Sequence, residues 1–346
     1  MHFKPYFSDW AGQVNEYLAS YLGKCQGQAK KEAPIAADLI SDFTAFLGGG
    51  KRLRAGLVKL GYEIWGGKDR VKILPIAAAV EMIHGSLLIH DDIIDKGDMR
   101  HGKPTIHVKY AQNKTAHYGE SMAILAGDFG LYEAIKLCLS ADLPPLILQK
   151  VVQEILQIVL NTVYGEALDV EMAYQTQISE QQILTVNKLK TAYYTFIGPL
   201  TYGALAAGAH ANSLKIIDKF ALPLGIAYQI QDDILGIFGN EKTLGKSVDS
   251  DIKEGKNTLL YLEALKKGNA KQKNFLQKMW GNENITLEEV EEVRDIIRET
   301  AALDYAVKMA QELVAQSKQQ IPHLTSDKNY QEILESLADY IVEREK

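Results

Sequence analysis

Two groups of aspartates stand out because apolar residues flank them. Asp91, Asp92 and Asp95 lie in SLLIHDDIIDKG, and Asp232 and Asp233 lie in GIAYQIQDDILGIFG. In a helix, Asp91 and Asp95 fall one turn apart on one face, with Asp92 offset by about 100°. A carboxylate among apolar turns is costly unless it is paired or bound to a cation. One such pair alone reads more simply as a solvated face or a helix cap. Two of them, each in core-like sequence, point to metal. Few hard oxygen ligands per site suit Mg²⁺, which keeps its waters and shares coordination with substrate phosphates.

Cations complete the pattern. Lys51, Arg52 and Arg54 follow the glycine run at 48–50, and Arg100 comes five residues after Asp95. Lys190 with Thr191, Lys246 and Lys256 surround the second pair in sequence. Taken singly, each is an ordinary surface charge. As a set flanking both acid groups they match phosphate clamps, arginine giving bidentate contacts and lysine point charges.

The elements that must hold these residues read as helices. VKILPIAAAVEMIHGSLLIHDDIID, LQKVVQEILQIVLNTVYGEALDVEMAY and LEEVEEVRDIIRETAALDYAVKMAQELVAQSKQQI all repeat apolar residues every three or four positions. Alternating runs with hairpin turns are hard to find. Breaks are expected at FLGGGKRLR, WGGKDR, DKGDMRHGKPT, SADLPPL and FGNEKTLGKS, where glycine and proline punctuate. No Ser/Gly-rich linker or fixed-period repeat divides the chain, so a single all-α domain over 1–346 is expected. The lysine-rich stretch at 266–273 reads as a solvated connection.

Composition limits the class. The 346 residues are 47% hydrophobic and 24% charged, enough for a sizeable core, and nine prolines leave helices largely unbroken. A formal charge of −6 argues against a nucleic-acid surface. Cys25 and Cys138, far apart, make neither a disulfide framework nor a zinc site and fit a cytoplasmic home. The opening residues MHFKPYFSDWAGQV lack an apolar signal core, and no uninterrupted run of 18 apolar residues suggests a membrane span.

Two other motifs fail on spacing. Gly245, Lys246 and Ser247 imitate the end of a P-loop, but five residues separate Gly239 from Gly245 where the pattern requires four. His84, His90, His101 and His107 include no HExxH pair, and the nearby oxygen ligands suit harder ions than zinc.

GGGKRLR, EMIHGSLLIHDDIID, MRHGKPTIH, LKTA, YQIQDDILG and LGKSVDSDIKEGKNT occur in the order found in trans-isoprenyl diphosphate synthases. Over about 46–260 the chain resembles that polyprenyl synthetase family. The resemblance implies an isoprenoid synthase-type helical bundle around a central apolar cavity, and Mg²⁺-dependent joining of isopentenyl diphosphate to dimethylallyl, geranyl or farnesyl diphosphate. It implies that Asp91, Asp92, Asp95, Asp232 and Asp233 hold Mg²⁺ and that Arg100, Lys190, Lys246 and Lys256 contact the allylic diphosphate. Thr191 and Gln229 would lie near the allylic carbon, and Lys51, Arg54, His84 and His101 at the isopentenyl site. A homodimer is implied as well.

Two positions depart from the family's pattern. His101 stands where a second arginine is common, and Gly236 where a third aspartate usually ends the second motif. A non-catalytic subunit would tend to lose the first aspartates and the basic site, and a terpene cyclase would have no need of GGGKRLR. Product length is expected from the stripe below Asp91. Leu87 and Ile83 lie about 6 and 12 Å down it, while the resemblance points to Ser86 and Leu87 as floor residues. A small Ser86 would let the chain pass, and Tyr132 could form a lower floor, which favours the twenty-carbon geranylgeranyl product. Farnesyl and longer products are the alternatives.

Overall fold

The structure is a computed structural model that describes residues 2–48, 50–100, 102–175, 177–239 and 249–344. The helices run, in chain order, α1 (Phe3–Glu32), α2 (Pro34–Phe46), α3 (Leu53–Ile64), α4 (Leu74–Ile94), α5 (Ile106–Ala111), α6 (Ala116–Leu139), α7 (Pro145–Met172) and α8 (Glu180–Val186). A π-helical segment, Asn187–Ile197, leads into α9 (Gly198–Ala206) and α10 (Ala211–Phe238). Then follow α11 (Ser250–Lys253), α12 (Leu259–Lys267), α13 (Ala270–Met279), α14 (Leu287–Glu299), α15 (Ala302–Lys318), α16 (Ile321–Leu324) and α17 (Lys328–Glu343). The strands among the described residues are β1 (Met99–Arg100) and β2 (Lys103–Pro104), an antiparallel hairpin. Contacts divide the chain into two compact units, residues 1–155 with 199–214, and residues 156–198 with 215–346.

In the first unit α4 is apolar on nearly every side and is buried over most of its first three turns and more patchily toward its end. A helix without a polar face is a core helix. It starts where Asp69 caps the preceding 3₁₀ turn and Pro75 occupies the first turn, a position that needs no backbone donor. α6 packs closely along it. A Cβ on Gly127 would come 2.1 Å from Nε2 of His90, and one on Gly130 would come 2.1 Å from Oγ of Ser86. These glycines admit α4 side chains to the α6 backbone. At its far end α4 is closed by Lys96 at φ 53°, and the hairpin turns at Gly102, φ 72°.

In the second unit, a capping box between Ser179 and Gln182 starts α8, which then widens into the π segment. The sequence predicts one continuous helical pattern over 287–321. The structure breaks it at Thr300 and Ala301. The Thr300 hydroxyl donates back to the Ile296 carbonyl at 2.7 Å, and Ala301 adopts φ 54°. Thr162 makes the same bond inside α7 without interrupting it, so the left-handed backbone of Ala301 is what ends the helix.

Residues 70–94 and 145–172 are long and apolar enough to cross a bilayer by length and composition. The first is the buried α4. The second, α7, leaves much of its apolar surface open, including Leu156, Leu160, Val163 and Tyr164.

Gly130→Val would press two methyls onto Ser86 and Phe43. The expected cost is about 1–3 kcal/mol of overpacking strain, read as a lower midpoint in urea unfolding.

Candidate active site

The first acid group sits at the C-terminal end of α4, with no basic residue in the helix's last turn. That end carries a partial negative charge, so carboxylates there are destabilised unless a cation lies close. Arg100 on β1 supplies one. Its Nε and Nη2 both donate to Oδ1 of Asp92 at 2.7 Å, and Nη2 lies 3.7 Å from Oδ2 of Asp91. Asp92 is 3% exposed, whereas Asp91 and Asp95 are half-buried and reachable from solvent. The hairpin exists to bring Arg100 back over the end of its own helix.

The segment before α3 divides its cations by direction. Lys51 is exposed and Arg54 half-buried, while Arg52 turns inward at φ 53°. Arg52 Nη1 meets Glu81 at 3.3 Å, Nη2 donates to the Leu47 carbonyl at 2.5 Å and Nε to Asn15 at 2.8 Å. Arg52 therefore anchors the turn that carries Lys51 and Arg54, and leaves the clamp to its neighbours. His84 is half-buried on α4, two turns before Asp91. His101 and Lys246 lie outside the described residues. His90 packs against Gly127, and His107 Nδ1 lies 3.2 Å from the Thr105 hydroxyl.

In the second unit three helical segments meet at the second pair. Thr191 donates its hydroxyl to Oε1 of Gln229 at 2.6 Å, and Gln229 Nε2 donates to Oδ1 of Asp233 at 2.8 Å. Lys190 Nζ is held between Glu166 at 2.8 Å and Asp169 at 2.9 Å. Both Lys190 and Thr191 sit in the π segment, a winding concentrated at functional sites. Burial pushes the Asp233 carboxyl up to about 8, the Gln229 bond pulling the other way and the charges of Asp251 and Asp232 adding to the rise. Asp232 is more open, and Arg344 Nη2 reaches its Oδ1 at 3.0 Å. Lys256 Nζ lies 3.3 Å from Asp251 and 3.2 Å from Glu254.

The donors are hard carboxylate oxygens, and arginine already approaches both groups, so each group is built to hold positive charge. Among the described residues no three of His, Cys, Asp and Glu gather into a closed metal cage. An ion bound by one or two carboxylates and completed by phosphate oxygens needs none. The residues fit Mg²⁺ on that basis.

The tail-pocket expectations need two corrections. Ser86 is fully buried, donates to the Met82 carbonyl at 2.9 Å, and faces Gly130 and Phe43. Its small size serves the α4–α6 contact. Tyr132 is 74% exposed, so its ring forms no internal floor of this chain. Ile83 is buried, and Leu87 is half-buried on the stripe below Asp91.

Sequence reasoning passed over Glu166, Asp169, Asp251 and Arg344. The first two had a signal, acids three residues apart on an apolar helix. Arg344 had none, because its partner Asp232 lies 112 residues away in sequence.

The fold is all-α, and cations approach both of its aspartate groups. Residues 39–298 match the family model described as Polyprenyl synthetase, a span that draws on both units. The geranylgeranyl diphosphate synthase of Sulfolobus acidocaldarius is 34% identical over 348 residues, covering 100% of this chain and 99% of its own length. A farnesyl diphosphate synthase of Geobacillus stearothermophilus is 36% identical over 272 residues, 75% of this chain and 83% of its own. A crystal structure of geranylgeranyl pyrophosphate synthase from Corynebacterium glutamicum, complexed with isoprenyl diphosphate and magnesium, superposes with a TM-score of 0.92 at 27% identity, covering 98% of this chain and 99% of that one. The chain belongs to the polyprenyl synthetase family and is a prenyltransferase with the all-α isoprenoid synthase fold.

Asp233 sets a pH dependence. Unfolded, its carboxyl loses its proton near 3.8; folded, it keeps it to about 8. Between those values the folded state binds the extra proton, so this group's contribution to stability falls as pH rises. In chelator, the urea midpoint is expected to drop from pH 6 to pH 8, and Asp233→Asn to flatten that slope.

Proposed function

We propose that this chain condenses isopentenyl diphosphate with an allylic diphosphate (dimethylallyl, geranyl or farnesyl) into a linear all-trans prenyl diphosphate, with twenty-carbon geranylgeranyl diphosphate as its product. The observation that carries this reading is Arg100 bonded to Asp92 and close to Asp91 at the negative end of α4. That end is built to receive a cation with an anionic substrate. The full-length relative and the superposing structure, both named for geranylgeranyl synthesis, support the product.

In this reading Asp91, Asp92, Asp95, Asp232 and Asp233 hold Mg²⁺. Bound there, the ion would neutralise charge on the departing diphosphate. Arg100, Lys190, Lys256 and Lys246 bind the same diphosphate. Glu166 and Asp169 keep Lys190 pointed. The allylic C–O bond breaks with its electron pair on diphosphate, and the isopentenyl double bond attacks the allylic carbon. The adduct loses a proton to the released diphosphate. Thr191 and Gln229 turn their oxygen dipoles to the carbon that gains positive charge. Lys51, Arg54, His84 and His101 bind isopentenyl diphosphate.

We also read the chain as a cytoplasmic homodimer. Leu156, Leu160, Val163 and Tyr164 of α7 are exposed, and lipid is a poor cover for a helix that also carries Lys150, Glu154, Glu166, Asp169 and Glu171. A second copy covers such a face without burying those charges in hydrocarbon.

Incorporation of labelled isopentenyl diphosphate tests the reaction. Turnover should require Mg²⁺, and Asp91→Ala and Asp232→Ala should each lower it about 100-fold or more with circular dichroism unchanged. Full activity in excess chelator would overturn the assignment.

Product length should follow Leu87. Leu87→Phe is expected to shift the product toward fifteen carbons on chromatography. Ser86→Phe should chiefly destabilise, because Gly130 and Phe43 leave it no room. A Leu87→Phe enzyme with unchanged products would refute this stripe as the determinant.

A further inference from the structure

The second aspartate pair ends in a gap. Gly236 lies one turn beyond Asp232 on the same face of α10. A Cβ built there would come 2.0 Å from Oδ2 of Asp251 and 2.7 Å from its Cγ. The volume that a side chain at 236 would fill is therefore taken by a carboxylate from another stretch of chain.

That carboxylate is deliberately held. Asp251 is 2% exposed on α11. Its backbone carbonyl accepts from the Lys256 N–H at 3.0 Å, closing a turn through Gly255 at φ 70°. The turn is pinned from outside, since Gly281 N–H donates to the Ile252 carbonyl at 2.8 Å and Trp280 Nε1 to the Lys256 carbonyl at 2.9 Å. Lys256 Nζ folds back to Oδ1 of Asp251 at 3.3 Å. Asp251 is also close enough for its charge to act on Asp233. A buried carboxylate is costly to maintain, and its cost is offset where nearby positive charge uses it.

We propose that Asp251 is a positioning residue for the second acid pair, filling in space the place that Gly236 leaves vacant on α10. It touches no reacting atom. Its charge strengthens the hold of Asp232 and Asp233 on a divalent cation, and its ion pair aims Lys256 at the diphosphate. The inference rests on the metal reading above and deepens it: the acid missing from the helix is delivered by the turn at 250–256.

The test measures Mn²⁺ binding to the full chain in the presence of inorganic diphosphate, which supplies the phosphate oxygens, by electron paramagnetic resonance, with folding checked by circular dichroism. Asp251→Asn should weaken binding about 10- to 100-fold, the loss typical of groups that support metal ligands. The swap Gly236→Asp with Asp251→Gly should recover most of it, which a purely structural Asp251 would not allow. If Asp251→Asn does not fold, the swap alone decides: near-native affinity supports the proposal, and loss in a folded protein overturns it. Unchanged affinity in folded Asp251→Asn, or a swap no better than the single variant, also overturns it. Asp232→Ala is the control. If it loses Mn²⁺ while Asp251→Asn does not, only this inference fails; if Asp232→Ala binds normally, the metal reading falls and this falls with it.

Discussion

Carboxylates gathered at the negative end of a buried helix repel one another and the helix dipole together. The first unit is arranged around that conflict. α4 has to be buried to be rigid, and its last turn has to face outward to be useful. The hairpin at 99–104 reconciles the two, returning Arg100 onto Asp92 and Asp91 while Asp91 and Asp95 stay accessible. The αL residue Lys96 is what lets the chain leave the helix sharply enough to come back.

The second unit meets the same electrostatic problem differently. Asp233 is deep in the protein, where a bare charge is poorly tolerated, and is held in a hydrogen-bonded line from Thr191 through Gln229. Gln229 accepts from Thr191 at its carbonyl oxygen and donates to Asp233 through its amide, which ties the three side chains together. The π winding over 187–197 sets adjacent residues to separate tasks: Lys190 goes to the acids of α7 and Thr191 to α10. A buried polar network whose members are satisfied is a rigid one.

Rigidity further out follows the same logic. Arg52 looks in sequence like part of a basic run, yet its guanidinium is consumed by Glu81, Asn15 and the Leu47 carbonyl. It fixes the turn from which Lys51 and Arg54 can work. At α6, Gly127 and Gly130 bring backbone to within contact of His90 and Ser86, so the helix with the first aspartates has little freedom to slide. Ser86, small enough in sequence to suggest room for a growing chain, faces Gly130 of the neighbouring helix instead.

The all-α class, the two acid groups and their flanking cations were legible in the sequence, because helical periodicity and clustered charge are local properties. The apolar neighbours of Asp91 and Asp233 announced that those charges are expensive before any contact was known. The break at Ala301 was not legible, since neither glycine nor proline marks it and the left-handed residue is an alanine. Nor were the inward turn of Arg52, the packing of Ser86 and the outward ring of Tyr132, because a residue's direction depends on the element packed against it. The partners of Asp232 and Gly236 belong to the same kind. Arg344 and Asp251 reach them across long sequence separations, and no spacing rule connects such residues. Sequence determined which chemical groups the protein carries and on which helices; only tertiary packing decided which of them face solvent and which neutralise each other, since charge and volume act through space and not along the chain.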